Sequence, residues 1–149
     1  MGIYLRLLLS LAALCFAVWP VDARNIVHLF PITAALESKD SPEKPSGSIQ
    51  FFFTKEKSPK AGKTIRSETI DRKARLRGNS NENACHEAFA SVLMAFEKRA
   101  QEMGANAVVN VVSNYKRREM SSATHFECHE GSGYMAVALR GDFVTLAAQ

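Results

Sequence analysis

Two thiols and three imidazoles crowd into two short segments, Cys85-His86 and His125-x-x-Cys128-His129. Two cysteines with two histidines would suit a tetrahedral zinc or copper site. Convergence is the difficulty. On a strand Cys128 and His129 point to opposite faces, and on a helix Cys85 and His86 diverge by about 100°. The closely spaced cysteine pairs of zinc modules are also missing, so no metal ligand is assigned. A thiol enzyme built from Cys85 and a distant His125 requires a free thiol. The segment Ser121 to Glu127, "SATHFE", holds hydrolase residue types, but no G-x-S-x-G elbow is present. No catalytic residue and no cofactor are assigned, and the chain is expected not to be an enzyme.

A second candidate is "SPKAGKT", Ser58 to Thr64, which follows an apolar run and ends in Gly-Lys-Thr. A phosphate-binding loop needs an earlier glycine, so that successive backbone N–H groups wrap the phosphates, and it must open into a helix. The earlier position is Lys57, and the residues after Thr64 are polar with no helical apolar face. The stretch reads as a basic turn after a strand.

The elements around these residues follow from periodicity. "NIVHLF" reads as a strand or extended arm, with Pro31 able to start a helical turn. Lys39 to Gly47 is a loop, "SIQFFFT" a buried strand, and Thr64 to Leu76 at most an exposed strand. Asn79 or Ser80 offers a helix cap. From there Cys85, Ala88, Phe89, Val92, Leu93, Phe96, Ala100 and Met103 repeat at helical spacing until Gly104. "AVVNVV" is a central strand, Lys116 to Ser122 a polar loop, and "EGSG" the turn of a hairpin. Gly141-Asp142 marks a bulge or bend in the closing run. The expected class is α+β, with one long amphipathic helix packed on a small, mostly antiparallel sheet.

The first 23 residues read as a secretory leader: Arg6, an apolar run from Leu7 to Trp19, and a small-residue site, with cleavage between Ala23 and Arg24. The run is too short for a membrane span, which needs about 20 residues. Lipidation at Cys15 is the alternative, although Leu14 precedes it where a small residue is usual. Residues 24–149 then form a single domain, with an arm, strand and loops over 24–78 and a helix-plus-strand core over 79–149. Arg6 and Asp22 cancel, so the net charge stays +4. That mild excess favours anionic surfaces without demanding a nucleic acid. Basic residues cluster at Lys55 to Lys63, Arg72 to Arg77 and Lys116 to Arg118. Cys85 and Cys128 remain, and an even pair in an oxidising compartment is most simply a disulfide; metal ligation and free thiols are the alternatives.

"ACHEAF", "GANAVVNVVS", "SSATHFECHEG" and "MAVALRGDFV" together resemble a group of small exported bacterial proteins, many carrying the name "excinuclease ATPase subunit". "GANAVVNV" is also similar to the helix-to-strand junction of the heavy-metal-binding-domain family. The same junction occurs in the outer-membrane lipoprotein that senses envelope stress for the Rcs phosphorelay. The resemblance implies a helix on a small sheet, with Cys85 and Cys128 bridging the helix start to the hairpin. The excinuclease name implies ATP-driven DNA repair, which the failed phosphate loop and the exported address contradict. The expected function is a non-enzymatic periplasmic or secreted binding or sensing module, with a Cys/His metal-binding protein as the alternative. Its partner would be an envelope protein or an anionic surface. Nucleic acid and a membrane span after cleavage are not expected, and oligomers through strand edges are possible.

Overall fold

The computed structural model describes residues 25–39, 41–54, 58–60 and 63–147. The expected leader, its cleavage point at Ala23 and Arg24, and Cys15 lie outside the described residues, as do 55–57 and 61–62 of the basic turn. In chain order the elements are β1 (Ile26–Pro31), α1 (Ile32–Glu37), β2 (Gln50–Phe53), β3 (Thr64–Arg75), α2 (Asn81–Met103), β4 (Ala107–Tyr115), β5 (Arg118–Met120), β6 (His125–Gly131) and β7 (Tyr134–Val144).

The last strand organises the sheet. One edge of β7 pairs antiparallel with β3 along its length, from Thr64 opposite Val144 to Arg75 opposite Tyr134. Its other edge is shared: β6 takes the beginning and β4 the end. β1 lies antiparallel outside β6, β2 parallel outside β4, and β5 folds back on the end of β4. Side chains alternate between faces. Met135, Val137, Leu139 and Phe143 of β7 join Phe126 and Cys128 of β6 in one core cluster with Phe89, Leu93 and Phe96 of α2.

The fold-class expectation is therefore corrected. Strands hold 44% of the described residues and helices 25%, so the sheet is the dominant element and not a small one. Seven strands form it, one pair parallel, and α2 is the one helix longer than a turn or two among the described residues. The excess comes from strands with little apolar signal. β3 is a twelve-residue edge strand with one buried side chain, Ala74. Arg118–Met120, expected as loop, is recruited by the backbone of β4. Neither needs an apolar stripe, because each borrows its register from a buried neighbour.

The expected bulge lies in the ladder at Gly141, but its extra residue is on the opposite strand. β7 runs unbroken through Gly141, and the register shift falls on β4 between Val109 and Val112. Asn110 there has φ 54°; its N–H donates to Ser58 Oγ at 2.8 Å, and its Nδ2 to Asp142 Oδ2 at 2.7 Å. Gly141 answers a different need: a Cβ at that position would sit 2.5 Å from Val108 Cγ1.

Helix α2 begins at Ser80, whose hydroxyl accepts from Asn83 N–H at 3.1 Å, and ends at Gly104 in the left-handed conformation. Its Glu97 is buried and holds down the loop before β2. Ser46 N–H and Oγ donate to this carboxylate at 2.9 and 2.7 Å, and Ser48 N–H and Oγ at 3.2 and 2.9 Å. Burial by itself would raise the Glu97 carboxyl; the serine hydrogen bonds outweigh it and hold the group below the ordinary carboxylate range.

Candidate functional site: a tyrosine and lysine cleft behind the disulfide

Of the Cys/His residues singled out in the sequence, the structure joins two. Cys85, in the first turns of α2, and Cys128, on the helix-facing side of β6, are disulfide-bonded, with Cα atoms 5.9 Å apart. The histidines are dispersed. His86 lies edge-on to Phe30, and His125 begins β6 at the surface with Nδ1 2.9 Å from Thr124 Oγ1. Ser122 Oγ is occupied by the N–H groups of Thr124 and His125. Among the described residues no group of three or more His, Cys, Asp or Glu is placed to hold a metal ion.

His129, one residue after the bridge, points to the opposite face of the sheet, where sequence reasoning assigned no site. It is buried, 4% exposed, with the Tyr115 ring stacked on it at 3.7 Å and 12°. Nδ1 meets Asn25 Oδ1 at 3.1 Å. Nε2 faces Glu127 Oε2 at 3.5 Å. Burial lowers the His129 pKa; Glu127 opposes this, while Lys116 and Arg118 reinforce it.

Beside this histidine opens a cleft of about 430 Å³, lined by Asn25, Ile26, Tyr115, Lys116, Glu130, Gly131, Ser132 and Tyr134. A smaller recess of about 110 Å³ shares Asn25 and Tyr115 with it and reaches Arg118, Glu127 and His129. The two tyrosines are backed by scaffold. Tyr115 rests on His129, and Tyr134 lies so close over Gly131 that a Cβ there would be 2.3 Å from its Cζ. Each ring also carries a lysine: Lys73 Nζ is 4.6 Å from the Tyr134 centroid, and Lys116 Nζ is 5.5 Å from that of Tyr115.

The position of Lys116 is set by backbone geometry. It and Arg117 form the two-residue turn between β4 and β5, at φ 50° and 64°. This is the left-handed pair of a type I′ hairpin, which usually takes Asn and Gly. Two basic residues stand at the tip despite that preference. Two of the acidic groups nearby are committed, Glu130 to His28 and Asn81 and Glu119 to Arg140, while Glu127 faces His129 from the smaller recess. The cleft is thus a polar aromatic hollow with a cationic rim. The basic clusters were visible in the sequence, but their gathering around two tyrosines depends on β3, β4 and β7 lying side by side.

Among the described residues no helix is long and apolar enough to cross a membrane, and the cysteine pair is compatible with an oxidising compartment. Comparison with protein-family models, with curated proteins and with solved structures finds no match.

Proposed function

We propose that the chain is a non-enzymatic binding or sensing module of the bacterial envelope, exported and oxidised there, and that the tyrosine and lysine cleft docks on an anionic surface. The observation carrying this reading is the cleft itself: Lys73 and Lys116 held over two rigidly backed rings, with Arg117 beside them. Preorganised cations lose little freedom on meeting a phosphate or carboxylate surface. The disulfide and the leader support the location, and the resemblance to small exported proteins belongs to the same proposal.

The test is sedimentation of the purified, oxidised protein with phosphatidylglycerol vesicles and with phosphatidylcholine vesicles. Binding is expected to the anionic vesicles alone and to weaken with salt. The double variant Lys73→Ala, Lys116→Ala is expected to bind roughly thirtyfold more weakly, at about 1 kcal/mol per cation near such a surface. Equal binding to both vesicle types would sink the reading. Stoichiometric zinc with two free thiols in protein purified without reductant would instead favour the metal-binding alternative.

A further inference from the structure

On the helix side of the sheet, α1, the loop before β2 and the middle of α2 line a half-open cavity of about 230 Å³. Leu36, Pro45, Ile49, Phe51 and Phe89 contribute apolar walls, and the single charged side chain among the lining residues is Lys44. The walls are held. Phe89 stacks between Phe53 and Phe126, with centroids 6.1 and 4.3 Å away. The loop cannot simply settle into the space, because Ser46 and Ser48 are anchored on Glu97 by the four hydrogen bonds described above. Lys44, at the surface, donates from Nζ to the Leu36 carbonyl at 3.3 Å, which places its ammonium at the end of α1 and leaves further N–H groups for an acceptor. Leu36 remains 44% exposed beside it.

We propose that this cavity binds a medium-chain fatty acid, with the acyl chain against Ile49, Phe51 and Phe89 and the carboxylate on Lys44. The volume limits the chain: at roughly 30 Å³ per water-sized group it holds about eight methylene-sized units. The apolar lining favours methylenes over water, and a lone cation at the rim selects the carboxylate end.

Isothermal titration of the oxidised chain with carboxylates of increasing length tests the assignment. Affinity is expected to rise roughly fourfold per methylene and to level off near octanoate. Lys44→Gln is expected to weaken octanoate about tenfold and to leave 1-octanol unchanged. Ala90→Leu, which places a larger side chain in the cavity, is expected to abolish binding. Should that variant fail to fold, the chain-length series and Lys44→Gln decide alone. Absence of heat with octanoate overturns the proposal, as does affinity that climbs unbroken through dodecanoate. Undiminished octanoate binding by Lys44→Gln overturns the carboxylate assignment.

Discussion

Glu97 is the residue on which the loop before β2 depends, and its behaviour with pH follows from its partners. Its carboxyl is held below its unfolded value, so the stabilisation is fully present above that value and is lost as pH falls through the lowered folded pKa. His129 has the same sign for a different reason. Its imidazole is kept neutral by burial, and the unfolded chain takes up the proton first as pH falls below 6.5. Acid therefore destabilises the fold in two stages, the histidine before the carboxylate. Glu97→Gln is expected to cost about 1–3 kcal/mol at neutral pH, the usual effect of weakening hydrogen bonds to a buried charged acceptor. It is also expected to flatten the acid branch of the stability curve. Denaturant unfolding of both proteins at neutral and at strongly acid pH measures the two effects; parallel curves would show that Glu97 does not titrate with folding.

At the scale of elements, the close approach at Gly141 is the sharpest test of how β7 lies against β4 and α2. Gly141→Ala brings a methyl into contact with Val108, Val111 and Phe96. It is expected to destabilise by about 1–3 kcal/mol, read as a lowered denaturation midpoint with an unchanged slope. In the sequence the same glycine suggested a bend, because an isolated glycine in a strand signals either irregularity or crowding. What was legible were elements with their own periodicity. The spacing from Cys85 to Met103 and the cap at Ser80 mark α2, and the "AVVNVV" run marks β4. What was not legible were elements whose existence depends on a neighbour. β3 presents Arg66, Arg72, Lys73 and Arg75 along an edge and reads as no more than a weak exposed strand until β7 is placed beside it. The cleft was hidden for the same reason: Tyr115, Lys73 and Tyr134 are distant in the chain and meet through pairing alone.

For the whole molecule, the Cys85–Cys128 bridge closes a loop with a sequence separation of 43. It stabilises chiefly by restricting the unfolded chain, by about 4 kcal/mol. That is a large share of the net stability of a domain this size, about 5–15 kcal/mol. Reduction, or paired Cys85→Ala and Cys128→Ala substitution, is expected to lower the unfolding free energy by that amount in denaturant melts. A loss below about 1 kcal/mol would mean that the core alone specifies the fold.

The shared use of β7 has a consequence for assembly in time. Three strands, β3, β4 and β6, lie directly on this strand, and β1 and β2 reach it through them. It is also the last strand in order among the described residues. When the polypeptide emerges N-terminus first, β3 is delivered before the edge it needs and α2 before the sheet face it packs on, and pairing at such sequence separation is slow. Closure of the sheet therefore waits for Tyr134–Val144, so the strands made earlier remain without their central partner until this segment is available.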